Sequence, residues 1–131
     1  GHLGLTPQSV NGLGGFRVQG RSADARRRLQ AEAIACQQAG CFSLVLECVP
    51  ESLAAEITQS LDIITIGIGA GNATDGQVLV LQDLLGLSTN FQPKFVRRYI
   101  DGRGLVLDAL DRFADDVRKA EFPAPDERYA G

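Results

Sequence analysis

Residues 42–68 read FSLVLECVPESLAAEITQSLDIITIGI, and this stretch decides the fold class. Two runs of strand-forming apolar residues, 42–48 and 63–68, flank a segment in which Leu53 and Ile57 lie at helical spacing. The near-continuous apolar character of both runs predicts strands that are buried on both faces, as in a parallel sheet. The order strand, helix, strand is a βαβ unit, so the sequence predicts an α/β fold.

The part of the chain before this unit is predicted to contain a long loop and one helix. Residues 1–21 are rich in glycine and polar residues, and long loops of this kind are often functional, so we expect an active-site loop region there. Ser22 is the predicted N-cap of the helix that follows, and Gly40 is its predicted left-handed terminator. Leu29 and Ala33 give this helix an apolar face.

The part after the unit has weaker signals. The apolar run 78–81 fits either a strand or a short helix. Pro93 predicts the start of a short helix that runs to Tyr99 and is broken by the glycines of 102–104. An amphipathic helix follows, with apolar positions at Val106, Leu110, Phe113 and Val117. Two prolines and polar residues predict a C-terminal surface arm over 122–131.

Composition excludes several classes of protein. The 131 residues are 44% hydrophobic and 22% charged, which is typical of a globular domain and not of a disordered chain. The net charge of −3 argues against binding to nucleic acid, and no apolar run approaches the ~20 residues of a membrane helix. The absence of Met and of a linker predicts that residues 1–131 form one partial domain of a longer chain. Three cysteines without Cys-x-x-Cys spacing indicate reduced, buried thiols in a cytosolic protein.

Glu47 is the first candidate for catalysis. It ends an apolar strand, and side-chain alternation places it on one face with Ser43 and Val45. In parallel α/β folds the carboxyl ends of the strands carry ligands and catalytic groups. Apolar surroundings would disfavour the charged form of this carboxylate, which suits a general base that works near neutral pH. The structural alternative is a glutamate that pairs with a Lys or Arg at the strand end.

The glycine loop after the second strand does not carry a nucleotide-binding signature. Residues 67–72 read GIGAGN, and Asn72 stands where the dinucleotide fingerprint requires glycine. Strand parity places Ile68 on the face of Ile66, so it could line a pocket.

His2 is the single histidine of the chain. A lone histidine is more often a hydrogen-bonded structural residue than a catalytic one. The His, Asp and Glu residues of this segment do not cluster in the sequence. They therefore do not predict a metal site within it.

Several stretches together resemble the ketopantoate hydroxymethyltransferase family. They lie in the family's order and spacing over essentially the whole chain. These stretches are 1–10 (GHLGLTPQSV), 18–21 (VQGR), 46–50 (LECVP), 66–77 (IGIGAGNATDGQ), 93–95 (PKF) and 122–123 (FP).

The resemblance implies the C-terminal half of a (β/α)8 TIM barrel of the phosphoenolpyruvate/pyruvate superfamily. It implies a cytoplasmic homo-oligomer, a decamer in the family, that uses Mg²⁺ and 5,10-methylenetetrahydrofolate to convert 3-methyl-2-oxobutanoate into ketopantoate for pantothenate and coenzyme A synthesis. Glu47 would be the proton acceptor that forms a Mg²⁺-stabilised enolate, His2 would lie near the substrate, and Ile68 would form a pocket wall. The Mg²⁺ ligands would lie in the absent N-terminal half, so we expect this segment alone to be inactive.

Three other functions fit parts of the sequence. A carbon–carbon lyase of the same barrel superfamily would share the enolate chemistry. A non-catalytic half-barrel would act as an interaction module, since its two open strand edges favour self-association. A flavodoxin-like nucleotide binder fits the βαβ order and would bind its ligand at the loop 67–71.

Overall fold

A computed structural model describes residues 1–12, 14–89 and 92–129. The chain divides into two compact units, Gly1–Leu79 and Val80–Gly131. The elements of the first unit are β1 (His2–Gly4), a 3-10 turn (Pro7–Ser9), α1 (Ala23–Gln38), β2 (Ser43–Glu47), α2 (Glu51–Ser60), β3 (Ile64–Ile68) and β4 (Gly76–Gln77). Those of the second unit are α3 (Leu81–Leu84), α4 (Gly102–Arg118) and a 3-10 turn (Pro125–Glu127).

The sheet of the first unit is parallel, and its strand order is β1-β2-β3-β4. This confirms the predicted βαβ unit and the α/β class. The prediction of a loop over residues 1–21 is wrong for His2–Gly4, because these residues form β1 and pair with β2. A segment of three residues that includes a glycine is too short to show strand periodicity in its sequence. It is a strand because it pairs with the buried strand β2.

Both ends of α1 follow their sequence signals. The Ser22 hydroxyl accepts a hydrogen bond from the backbone N–H of Ala25 at 3.2 Å, which satisfies one of the free donors of the first turn. Gly40 has a φ of +93°, the left-handed conformation that ends a helix and that glycine adopts without strain. Leu29 and Ala33 are buried, as their spacing predicts.

The core of this unit lies between one face of the sheet and the two helices. Leu44 and Leu46 of β2 are fully buried, and so are Leu53 and Ile57 of α2. Burying such a side chain contributes about 1.5–3 kcal/mol to folding. Side chains alternate along β2, so Ser43, Val45 and Glu47 point away from this core and are only half-buried.

The second unit corrects two predictions. Residues 93–99 form a turn closed by the bond from Val96 N–H to Pro93 C=O at 3.0 Å, and no helix forms between them. Gly102 begins α4 instead of breaking a helix, with Asp101 as N-cap accepting from Gly104 N–H at 3.1 Å. A Cβ at Gly102 would overlap the Leu85 carbonyl oxygen, so this glycine allows a close backbone approach.

The predicted amphipathic helix is present as α4, but its apolar positions are exposed in this chain. Val106, Leu110, Phe113 and Val117 each remain about half exposed, and Phe122 packs its ring edge-on against Phe113 with centroids 5.2 Å apart. The run 78–81 forms neither a full strand nor a full helix, since α3 begins only at Leu81. No helix in the described residues is long and apolar enough to span a membrane.

Candidate active site

The carboxyl ends of three parallel strands bring the predicted site residues to one level. Gly4 of β1 lies opposite Glu47 of β2, and Glu47 lies opposite Ile68 of β3. His2 lies two residues before Gly4 and opposite Val45. In-register residues of parallel strands point to the same face, and so do residues two apart in one strand. His2, Glu47 and Ile68 therefore share the face that points away from the helix-packed core.

His2 and Glu47 form a hydrogen-bonded pair. The distance between His2 Nε2 and Glu47 Oε2 is 3.0 Å, and the two side chains are 34% and 18% exposed. When the Glu47 carboxylate is ionised it can only accept, and His2 Nε2 is then the donor of this bond. The expected structural alternative was a Lys or Arg partner, and the structure places the imidazole of His2 there instead. Two residues 45 positions apart in sequence thus meet through the register of β1 and β2.

The backbone around Glu47 is fixed on both sides. The Glu47 carbonyl accepts from Leu5 N–H at 2.8 Å, and Cys48 N–H donates to the Ile68 carbonyl at 2.9 Å. Cys48 has a φ of +49°, so the chain turns sharply where β2 ends. Gly4 has a φ of +92°, and a Cβ there would overlap the Glu47 carbonyl oxygen. These contacts hold the three strand ends together, and no sequence motif marks Gly4 or Cys48 as part of the site.

A second polar cluster lies on the other face of β3. Thr65 is fully buried, and its N–H and hydroxyl donate to Asp75 Oδ2 at 2.8 and 2.9 Å. Hydrogen bonds from the Thr65 backbone and side chain hold the pKa of the Asp75 carboxyl below its usual value. These bonds tie Asp75, which lies just before β4, to the neighbouring strand β3.

This hydrogen bonding predicts how Asp75 contributes to acid stability. A carboxyl with a lowered folded-state pKa stabilises the fold above its unfolded-state pKa of about 4, and the contribution disappears as pH falls through the folded-state value. Asp75→Asn is therefore expected to lower the free energy of unfolding at pH 7 and to flatten its decline below pH 4. Urea denaturation of both proteins between pH 7 and pH 3 measures this. Parallel declines in the two proteins would contradict it.

A cavity of about 730 Å³ lies between β1, the loop that follows it and α1. Its lining includes His2 and Gly4 from β1, Ser9 from the loop, and Asp24 and Arg28 from α1. Glu47 and Ile68 do not line it. The cavity therefore adjoins the candidate site through His2 and Gly4.

The cysteines do not supply a nucleophile to the site. Cys36, Cys41 and Cys48 are free thiols, but each is partly exposed, so the prediction of burial is wrong in degree. Partial burial raises the pKa of the Cys36 and Cys48 thiols, which keeps them protonated at neutral pH. Across residues 1–12, 14–89 and 92–129, no group of three His, Cys, Asp or Glu side chains is arranged to hold a metal ion.

Comparison with known proteins gives the family. A family model described as ketopantoate hydroxymethyltransferase matches residues 1–125. The chain belongs to the ketopantoate hydroxymethyltransferase family. This confirms the resemblance carried by its sequence motifs, and the family is named as one of hydroxymethyltransferases.

Curated relatives of the ketopantoate hydroxymethyltransferase family are closely similar over nearly the whole chain. A 3-methyl-2-oxobutanoate hydroxymethyltransferase of Francisella tularensis is 54% identical over 129 residues, which are 98% of this chain and 49% of the relative. Proteins of the same name from a Methylobacterium strain and from Bdellovibrio bacteriovorus are 58% and 55% identical, over 45% and 49% of their lengths. The chain thus spans about half the length of the curated relatives that it matches.

Proposed function

We propose that this chain is the C-terminal half of a (β/α)8 barrel enzyme that makes ketopantoate. The complete enzyme would transfer a hydroxymethyl group from 5,10-methylenetetrahydrofolate to 3-methyl-2-oxobutanoate, with uptake of water and release of tetrahydrofolate. The hydrogen-bonded His2–Glu47 pair at the carboxyl ends of parallel strands is the observation that carries the proposal. The names of the curated relatives, at 54–58% identity, support the choice of substrates.

Glu47 is the proposed proton acceptor. The hydrogen on C3 of 3-methyl-2-oxobutanoate is adjacent to a carbonyl, so its removal gives an enolate that can form a carbon–carbon bond. Oε2 of Glu47 accepts the bond from His2, and we therefore assign the proton transfer to Oε1. The Glu47 side chain is 18% exposed, which leaves its carboxylate accessible to a substrate.

His2 is the proposed orienting partner of this base. Its Nε2–H fixes the plane of the carboxylate, and a base held by a third group is a recurring arrangement in acid–base catalysis. Ile68 lies in register with Glu47 and is 9% exposed, which supports its role as an apolar wall for the methyl groups of the keto acid.

Mg²⁺ does not fit the described residues by themselves. Mg²⁺ requires near-octahedral oxygen coordination, usually with one or two carboxylates. Glu47 is the carboxylate of the candidate site, its Oε2 is bonded to His2, and the described part of the chain offers no group of three ligands. The proposal therefore places the Mg²⁺ ligands of the complete enzyme outside this chain.

Assembly and compartment are part of the same proposal. We place the complete enzyme in the cytoplasm as a homo-oligomer, with the decamer of the family as the expected state. The half-exposed apolar side chains of α4 support association, because apolar patches of this kind often mark interfaces.

Deuterium uptake at C3 of 3-methyl-2-oxobutanoate tests the proposed function. The complete parent enzyme, incubated with the keto acid and Mg²⁺ in D2O, is expected to exchange the C3 proton, as followed by NMR. Addition of 5,10-methylenetetrahydrofolate should then give ketopantoate. An enzyme that exchanges no C3 proton, with or without tetrahydrofolate, would contradict the proposal and favour the lyase or interaction-module alternatives.

A further inference from the structure

The loop between β3 and β4, residues 69–75, begins directly after Ile68 and is bound at several points. We refer to it as the β3–β4 loop. It returns the chain to β4, a strand of two residues that pairs Ile66 with Gly76 and Gly67 with Gln77. A pairing this short is marginal without further support. The position of the loop therefore depends on the side chains that bind it.

A directed chain of hydrogen bonds ties the end of the loop to the buried side of β3. The carboxylate of Asp75 can only accept, so the single hydrogen of the Thr65 hydroxyl goes to Asp75 Oδ2. Thr58 of α2 lies 2.9 Å from the same Thr65 oxygen and must then be the donor to it. Asp75 N–H also donates to this oxygen at 3.3 Å. Asp75 thus connects the loop to β3 directly, and to α2 through the Thr65 hydroxyl.

A second set of bonds closes the loop on itself. The Gln77 side-chain amide donates to the Gly71 carbonyl at 2.9 Å and to the Thr74 hydroxyl at 2.8 Å, and Thr74 donates to the Gly76 carbonyl at 2.9 Å. A Cβ at Gly67 would lie 2.6 Å from Thr74 Oγ1, so the glycine leaves room for this network. Val78 N–H bonds the Gly67 carbonyl at 3.0 Å and extends the contact with β3.

These bonds determine where Ile68 lies. The N–H of Thr65 and the carbonyl of Gly67 are held from the β4 side, and the carbonyl of Ile68 is held from the β2 side by Cys48. Loss of the Asp75 contacts would free the N–H and hydroxyl of Thr65, while the Gly67 carbonyl would stay bonded to Val78 and the Ile68 carbonyl to Cys48. β3 would then be held less firmly on its β4 side, and Ile68 would move more freely relative to Glu47, its in-register neighbour.

From this arrangement we infer that Asp75 is a positioning residue for the keto-acid pocket, acting through the β3–β4 loop to fix the Ile68 wall against Glu47. The inference rests on the proposed function, because the pocket is defined by the proposed roles of Ile68 and Glu47. Asp75 binds Thr65, whose side chain lies on the other face of β3 from Ile68, so its proposed role is indirect.

Asp75→Ala in the complete parent enzyme tests the inference. Hydrogen exchange of backbone amides in residues 65–77 is expected to accelerate about tenfold. The KM for 3-methyl-2-oxobutanoate in C3 exchange is expected to rise about tenfold with kcat nearly unchanged, because a wall residue contributes to binding rather than to proton transfer. Asp75→Asn should restore most of the affinity, since its amide oxygen can accept both bonds from Thr65.

Arg26→Ala is the matched control. Arg26 joins α1 to α2 through Ser52 and Glu56, at 3.2 and 2.6 Å, so its loss weakens helix packing without touching the loop. An equal rise in KM in Arg26→Ala, or an unchanged KM in Asp75→Ala despite faster loop exchange, would overturn the inference. A parent enzyme that exchanges no C3 proton would instead show that the proposed function itself is wrong.

Discussion

Glu47→Gln in the complete parent enzyme is expected to lower the rate of C3 deuterium exchange by about 10²–10⁴-fold, the usual contribution of a general base. Glutamine has the same shape as glutamate, and its amide oxygen can still accept the bond from His2 Nε2. It cannot take up a proton at neutral pH. The variant should therefore fold and bind the keto acid while losing the proton-transfer step, as NMR in D2O would measure.

Glu32→Gln provides the control for this variant. Glu32 lies on α1, where it pairs with Arg28 at 2.8 Å. Its substitution by glutamine removes the same charge as Glu47→Gln but changes neither His2 nor Glu47. Its exchange rate should stay within about threefold of the wild type, because exposed ion pairs of this kind contribute little. Exchange that survives in Glu47→Gln would move the base to another residue and leave Glu47 as a structural carboxylate.

The isolated 131-residue chain is expected to exchange the C3 proton about 10³-fold more slowly than the complete parent enzyme. The chain holds the proposed base, whereas the proposal places the Mg²⁺ ligands outside it. A Lewis acid held by residues outside this chain would contribute several kcal/mol, and about 4 kcal/mol corresponds to this factor.

Parallel NMR assays of the two proteins, at equal concentration and with and without Mg²⁺, measure this difference. Circular dichroism of the isolated chain should accompany them, so that a loss of helix is not mistaken for a loss of catalysis. Exchange by the isolated chain that depends on Mg²⁺ would contradict the prediction and would place a metal site within these residues.

Local signals in the sequence were sufficient to predict the first helix, α1, and the central βαβ unit, β2–α2–β3. Ser22 and Gly40 mark the two ends of α1 because capping and left-handed termination depend on single residues. The apolar runs that became β2 and β3 are long enough to be identified without their partners. The amphipathic pattern was sufficient for α4, but its start was predicted wrongly, because the glycines at 102 and 104 allow close contacts that only the folded chain reveals.

The candidate site was predictable in part. Strand alternation singled out Glu47 and the face of Ile68, whereas His2 entered through the resemblance to the family. The contact between His2 and Glu47 could not be predicted, because it requires β1, which has no strand pattern of its own and forms by pairing with β2. The same limit applies to Asp75, a loop residue whose partner Thr65 lies ten residues earlier on β3.

The left-handed Gly4 limits how this site can be redesigned. Any larger residue at position 4 would collide with the carbonyl of the proposed base, so pocket volume cannot be reduced from β1 without moving Glu47. Ile68 has an ordinary strand conformation and lies on the other side of Glu47. Directed evolution toward larger or smaller keto acids should therefore accumulate changes at position 68 and retain glycine at position 4.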